Sequence, residues 1–425
     1  MPNAHVNVPA IPQVPEEFDP ATVDFLLSLT PGAWLETLAQ ADLGPDRTLE
    51  WLMRLRQEVS PIQAGALLTT ARLRQRAAHK FPHAEKLFFV TEALEQATAW
   101  QVADHRAAWI HRHAPPGSVL DLGCGIGGDT LALAQQRPVI AYELAADRLR
   151  FAQANADALQ LPWPVRFVQT DWTADLSADS LPEAAAAFAD PARRVDGRRV
   201  FSLHAMLPPL AVLLDLARRI PALGVKVAPG VADHEIPAQA AVEFISHHGV
   251  CKEAVLWFGP LADAAPARRW ASVCTGDGAW HQLAGPGQAA PVEPLPSGPQ
   301  LEGLYLHEPD PAVIRAGVLD ELCRDLDAHL FDEQIAYLVN TRPASHPLAQ
   351  SFRLLEVHDF SLKRINRRLQ ALGMGRLEIK KRGSPIDPEA FRRSLKPAPT
   401  DRAGVIILTR MGERRIVLIA ERVQG

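Results

Sequence analysis

The segment VLDLGCGIGGDT, from Val119 to Thr130, constrains this chain more than any other stretch. A short apolar run ends at an acidic residue and a glycine-rich turn, and the turn opens onto helix-forming residues. That is the opening of a βαβ unit, in which a helix must carry the chain back before a parallel strand can pair. The rhythm then repeats. SVLDLG, RPVIAYEL, VRFVQTD and AAAFADP each end in an acidic residue or glycine, and helical segments such as AADRLRFAQANADAL separate them. With GVKVAPG, CKEAVLWFG and RWASVCTG further on, the pattern predicts an α/β core with about seven strands.

Different patterns flank this core. From Asp19 to Arg106 the sequence is helical: TLEWLMRLRQEV carries an apolar stripe of Leu49, Leu52, Met53 and Leu55. SPIQAGALLTTARLRQRAA begins with a Ser60 cap and Pro61 at the first helical position, and a further helix is expected over TEALEQATAWQVADHRAAWIHRHA. Residues 1–17 are rich in proline and polar groups and read as a disordered tail. The run AGPGQAAPVEPLPSGPQ, residues 284–300, reads as a linker or long hairpin loop. Beyond it, Asp310-Pro311 starts a helix, and SLKRINRRLQALGMG places Leu362, Ile365, Leu369 and Leu372 on one face between a Ser361 cap and a Gly373 stop. GVIILTRMGERRIVLIAERV reads as a hairpin turning at Gly412. The expected organisation is a tail (1–17), a helical domain (18–106), the α/β core (107–283), a linker (284–300) and a small α+β domain (301–425).

Composition narrows the function classes. An apolar fraction of 47% with 22% charged residues belongs to a soluble globular chain. Cys124, Cys251, Cys274 and Cys323 form no CxxC pair, which excludes a zinc knuckle or disulfide framework and suits a reducing compartment. His111, His113, His247 and His248 lack partners at ligand spacing, so no metal is expected. Without a signal-like start or a long apolar run, a cytoplasmic protein with no membrane span is expected. The net charge of −5 is uneven: from Ser351 to Gly425 there are 17 Lys and Arg against 8 Asp and Glu. A basic module on an acidic body points to a polyanionic partner.

Gly123, Gly125 and Gly128 satisfy G-x-G-x-x-G, a pattern shared by several nucleotide cofactors. A pyrophosphate lying over this turn would be repelled by Asp121, two residues before the first glycine, and by Asp129 after it. S-adenosylmethionine (SAM) has no phosphate and carries an ammonium that Asp121 attracts. Glu143, ending VIAYEL, is placed to accept the ribose hydroxyls, and Asp171, ending VRFVQTD, to meet the adenine amine. Three successive strands ending in acids favour SAM.

VLDLGCGIGGDT, YE and TDW closely resemble the cofactor motifs of class I SAM-dependent methyltransferases, over roughly residues 86–275. The resemblance implies a Rossmann-like seven-stranded sheet with a reversed final hairpin and a cofactor held by Asp121, Gly123, Cys124, Gly125, Gly127, Glu143, Leu144, Asp171, Trp172 and Asp190. The segment EKLFFVTEALEQATAWQVADHRA is similar to one that RNA guanine-N2 methyltransferases close over the cofactor, with Phe89, Thr91, Gln96 and Thr98 as candidates, or as plain packing and cap residues. The helical N-terminal region, core and basic C-terminal module together resemble a bacterial family of class I methyltransferases with a THUMP-like C-terminal domain. That resemblance implies RNA as substrate.

AAAFADPARR resembles the motif of amino-methylating members, an Asp or Asn, two prolines and an aromatic. An exocyclic base amine is a poor nucleophile, because its lone pair is delocalised into the ring. A carboxylate and a carbonyl accepting its two N–H bonds aim the lone pair at the methyl group. Asp190 and the Pro191 carbonyl take these roles. The second proline and the aromatic are replaced by Ala192 and Arg193; the Arg193 plane can stack on a base, and Trp172, Phe201 and His204 are other candidates. Arg194 joins Arg193 as a substrate contact, and Lys226 either meets a substrate phosphate or pairs with a nearby acid. Lys363, Arg364, Arg367 and the KKRG stretch of Lys380, Lys381 and Arg382 are expected to meet RNA phosphates. The sequence therefore predicts a SAM-dependent methyltransferase acting on an exocyclic amine of an RNA base. A non-catalytic SAM- and RNA-binding protein and a methyltransferase of protein or small molecules are the competing readings.

Overall fold

The computed structural model describes residues 17–28, 31–191, 194–195, 198–199, 202–286 and 301–423. The expected tail (Glu17 apart) and all of the expected linker beyond residue 286 lie outside them. The chain forms two compact units, residues 1–241 with 254–265, and residues 242–253 with 266–425. This division differs from the boundary expected at residues 284–300.

Among the described residues of the first unit, six α-helices precede the sheet: α1 (Pro20–Leu27), α2 (Gly32–Ala39), α3 (Thr48–Leu55), α4 (Pro61–Ala77), α5 (Thr91–Gln96) and α6 (Trp100–His113). Ser60 and Gln63 form the capping box that starts α4. The stripe expected on α3 is only partly used. Leu55 is buried, but Leu49 and Met53 are 67% and 63% exposed, because this two-turn helix packs along one edge only. The single helix expected over 91–114 is two helices. Lys80 Nζ donates to the carbonyl of Leu94 at 2.8 Å, and the Trp100 amide donates to the Lys80 carbonyl at 2.8 Å. An ammonium on the last carbonyls of α5 ends that helix without glycine or proline.

The alternating segment follows as β1 (Val119–Leu122), α7 (Gly128–Leu133), β2 (Val139–Glu143), α8 (Ala146–Leu159), β3 (Val165–Gln169), α9 (Trp172–Ser177) and β4 (Ala186–Ala189). Two-residue strands β5 (Arg194–Val195) and β6 (Arg198–Arg199) pair with each other. Then come α10 (Leu210–Arg219), β7 (Leu223–Val227), β8 (Ala241–His247), β9 (Val250–Trp257), α11 (Pro260–Asp263), β10 (Arg269–Cys274) and β11 (Trp280–Gly285). The sheet order is β11-β10-β8-β9-β7-β4-β1-β2-β3. The seven expected strands are there, with β9 antiparallel to β7 as the reversed strand, and β8 and β11 are additional. Strand β8 was not foreseen, because Glu243, Ser246 and His247 interrupt its apolar run. All three are buried; Ser272 donates to Glu243, and Ser246 donates to Asp310 at 2.9 Å.

The second unit continues with β12 (Tyr305–Pro309), α12 (Pro311–Ala316), α13 (Leu319–Leu326), β13 (His329–Asp332), β14 (Ile335–Asn340), β15 (Ala349–Asp359), α14 (Leu362–Leu372), β16 (Arg376–Lys381), α15 (Pro388–Ser394), β17 (Ala403–Met411) and β18 (Arg414–Arg422). Its seven strands run β13-β14-β12-β15-β18-β17-β16. The sheet curls until its ends meet: Lys380 on β16 donates to Glu308 on β12 at 2.5 Å, and Arg382 to the Ala336 carbonyl on β14 at 2.6 Å. Phe331, Tyr337, Phe352 and Leu418 pack on one face, while Ile365 and Leu369 of α14 cover Ile406, Val417 and Ile419 on the other. Ser361 caps α14 and Gly373 ends it at φ +65°, as the sequence predicts.

Candidate active site

Strand order reverses between β1 and β4, which opens a crevice at their carboxyl ends. The residues expected to hold the cofactor lie there because the strands are parallel and in register, Leu122 facing Tyr142 on one side and Ala189 on the other. Gly123, Gly125 and Gly127 turn the loop at φ +92°, +56° and +92°, which side chains rarely adopt. A Cβ on Gly123 would stand 3.4 Å from the Asp190 carbonyl, so the loop and the end of β4 meet across the switch point. The loop is fixed from beneath: the Cys124 amide donates to Tyr142 at 2.8 Å, and Asn155 Nδ2 to Ile126 at 3.0 Å. Burial pushes the Cys124 thiol well up, which makes it inert.

Glu143 accepts the amides of Gly125 at 2.9 Å, Leu144 at 2.8 Å and Ala145 at 2.9 Å, tying the end of β2 to the glycine loop. Asp171 accepts the Thr173 amide at 2.9 Å and its hydroxyl at 2.6 Å, capping α9, whose first residue Trp172 is buried.

Charge is paired in a definite order beneath the loop. Arg106 of α6, fully buried and 4.7 Å over the Phe188 ring, pairs with Asp129. Asp129, read from the sequence as a charge that repels a phosphate, is paired with this arginine. Lys226 on β7 pairs with Asp190 at 2.6 Å. Of the two roles open to Lys226, pairing with an acid is the one the structure shows. Asp121 accepts a hydrogen bond from Thr130. Burial, then the charge of Asp129, push its carboxyl up to about 8, with Asp190 adding and Arg106 and Thr130 opposing. Arg106 and Lys226 are thus taken by Asp129 and Asp190, while Asp121 is paired with the Thr130 hydroxyl. Chemically this donor set suits SAM, and the turn conformations leave room along the loop.

Other expected residues fall elsewhere. Thr91 holds Glu17, by its hydroxyl at 2.7 Å and its amide at 2.5 Å, and the exposed Gln96 donates to Glu92 of its own helix at 3.1 Å. Both are thus engaged by acids other than those of the glycine loop. Phe89 packs on Phe81 in the helical core, and Thr98 is buried. Pro191 is buried at the end of β4, and His204 is exposed. Arg193 and Phe201 lie outside the described residues, as does the side chain of Arg194. In the second unit, Lys363, Arg364 and Arg367 are exposed on α14, and Lys381 is exposed at the end of β16. Lys380 and Arg382 are not available to phosphate: both pair with Glu308, and Arg382 lies 5.0 Å over the Tyr337 ring. Sequence reasoning missed Arg106, Thr130 and Glu235. Glu235 accepts Ser202 Oγ and the Leu203 amide at 2.7 Å each, joining the loops after β7 and β4.

Among the described residues no helix is long and apolar enough to cross a membrane, and no group of three metal-ligating side chains forms. Fold and site together define a class I SAM-dependent methyltransferase with a THUMP-like domain, and the chain belongs to that family. A methyltransferase domain matches residues 119–189, a THUMP domain-like family residues 349–422, and a domain of unknown function residues 19–77. An uncharacterized S-adenosylmethionine-dependent methyltransferase of Mycobacterium tuberculosis is 33% identical over 359 residues, 82% of this chain and 94% of that protein, in strains CDC 1551 / Oshkosh and H37Rv alike. A solved structure from Porphyromonas gingivalis W83, a candidate methyltransferase, shares the fold at TM-score 0.73 and 17% identity, covering 96% of this chain and all of that one. The cofactor is S-adenosylmethionine.

Proposed function

We propose that this methyltransferase acts on RNA, at an exocyclic amine of a base. The observation that carries the reading is Asp190, a partly exposed carboxylate at the end of β4 whose backbone touches the cofactor loop. S-adenosylmethionine, when bound, supplies an electrophilic methyl group. Asp190 accepts one amine N–H and the Pro191 carbonyl the other, which turns the nitrogen lone pair toward that methyl. The protein's contribution is positioning and a fixed negative charge beside a nitrogen that becomes positive. Asp121, the loop from Gly123 to Gly127, Glu143, Leu144, Asp171 and Trp172 hold the cofactor.

RNA is favoured over a protein or small molecule by the THUMP-like match and by the distribution of exposed positive charge. Lys363, Arg364 and Arg367 stand exposed on one helix, with Lys396 in the segment that Gln370 of that helix holds at 2.9 Å. Such a surface suits a phosphate backbone. The test uses SAM labelled in its methyl group with total RNA and protein from a source strain deleted for this gene. Label in an N-methylated base supports the reading; label in protein overturns it in favour of a protein substrate. A protein that binds SAM and labels neither fraction also overturns it, leaving a non-catalytic binder or a methyltransferase of small molecules.

A further inference from the structure

We infer that Lys226 is a positioning residue for Asp190: it keeps that carboxylate ionised and fixed in direction, so that Asp190 serves as a hydrogen-bond acceptor and never as the store for the departing proton. The inference rests on the function proposed above.

Three observations carry it. The first is register. Ala189 on β4 faces Val225 on β7, so the next residues, Asp190 and Lys226, stand side by side at the same end of neighbouring parallel strands. The second is depth. The Lys226 side chain is 3% exposed and that of Asp190 28%, so the carboxylate stands on the solvent side of its ammonium. A substrate approaching from the crevice meets Asp190 first. The third is the pairing of charge around it. Lys226 faces Asp190 from β7, Asp121 lies on β1, and beyond Asp121 stands the Asp129–Arg106 pair from α7 and α6. The 2.6 Å bond of Lys226 goes to Asp190. Asp121, by contrast, is pushed toward its neutral form by burial and the Asp129 charge.

The chemistry suits that division. As the amine attacks, the C–N bond forms, the bond from carbon to sulfur breaks, and its electron pair stays on sulfur. The nitrogen then holds one proton too many, and a methylated aryl ammonium gives it up to water without help. A carboxylate already bonded to an ammonium is a weak base, so it holds the amine in place and takes no proton from it.

The test compares full-length wild type, Lys226→Met and Lys226→Arg by melting temperature, SAM affinity from calorimetry, and label transfer to RNA between pH 5 and 9. Lys226→Met should bind SAM as the wild type does, lose kcat by roughly 10²-fold, the cost of a misplaced catalytic group, and show its acid limb at higher pH. Lys226→Arg keeps the charge and should keep the wild-type acid limb with a smaller loss of kcat, an arm that stands even if the Met variant melts below assay temperature. An acid limb and kcat unchanged in Lys226→Met overturn the inference. So does a loss confined to KM for RNA, which would make the lysine a substrate contact, and so does an acid limb displaced in Lys226→Arg. A wild type that labels no RNA removes the proposed function, and the inference with it; a labelling wild type with unmoved variants removes the inference alone.

Discussion

At the scale of single residues, the site is organised by which acid receives which cation. Asp121 is left with the Thr130 hydroxyl, and burial followed by the Asp129 charge push its carboxyl from 3.8 up to about 8. At neutral pH it is protonated in the cofactor-free protein, whereas a ligand ammonium favours its ionised form. SAM affinity should therefore rise as pH climbs toward about 8 and fall again where the ligand's own α-amine loses its proton; Asp121→Asn should remove the rising limb, and calorimetry at several pH values reads both. The stability sign is opposite. Between pH 3.8 and about 8 the folded chain holds a proton that the unfolded chain has lost, so thermal melts of the cofactor-free protein should fall as pH rises over that window. A flat affinity profile for the wild type would place Asp121 away from the ligand charge.

Part of this was legible in the sequence. Asp121, Glu143, Asp171 and Asp190 follow apolar runs directly, and strand ends in a parallel sheet share one edge, so their grouping follows from order alone. Which acid takes which cation was less legible. The sequence offers Lys226 a nearby acid without naming Asp190, 36 positions away, and nothing in it says that Arg106 comes from a helix to pair with Asp129. Thr91 and Gln96 were misplaced for the converse reason: carboxylates local in space, Glu17 and Glu92, engage them.

At the scale of elements, the alternation of strand and helix from β1 to β4 was readable, and β8 was not. β8 hides Glu243 and Ser246 behind hydrogen bonds from Ser272 and to Asp310. The break between α5 and α6 is made by Lys80, a residue outside both helices. One tertiary link has a direct consequence for substrate. Glu235, after β7, holds Ser202 and Leu203 in the segment that leads from Asp190 and Pro191 to α10. Although partial burial pushes the other way, these donors keep its carboxyl below the usual range. Glu235→Ala should raise KM for RNA by roughly tenfold, on the order of one charge-assisted hydrogen bond, and leave SAM affinity unchanged. Steady-state kinetics with each substrate varied in turn separates the two; a change in SAM affinity alone would refute this role.

At the scale of the whole molecule, the basic excess of the last 75 residues divides into two populations. Lys380, Arg382, Arg368 and Arg422 pair with Glu308, Glu356 and Glu378, and act on the fold. Lys363, Arg364 and Arg367 stand exposed on α14. Replacing these three by Glu should weaken RNA binding and lower its salt slope by about 0.7–0.9 for each phosphate left without its cation, while the melting temperature stays where it is. Lys380→Ala should lower the melting temperature instead, because it leaves Glu308 and Glu378 short of a cation. Binding titrations across salt, with thermal melts beside them, distinguish the two groups.

The most direct test of the central claim is transfer of labelled methyl groups to RNA from the deleted strain, with wild type and Asp190→Ala side by side after both are shown to bind SAM. The account predicts label in an N-methylated base with the wild type and roughly a hundredfold less, or lower still, with the variant. Equal labelling by both proteins would contradict it, because the amine would then be held by something other than Asp190.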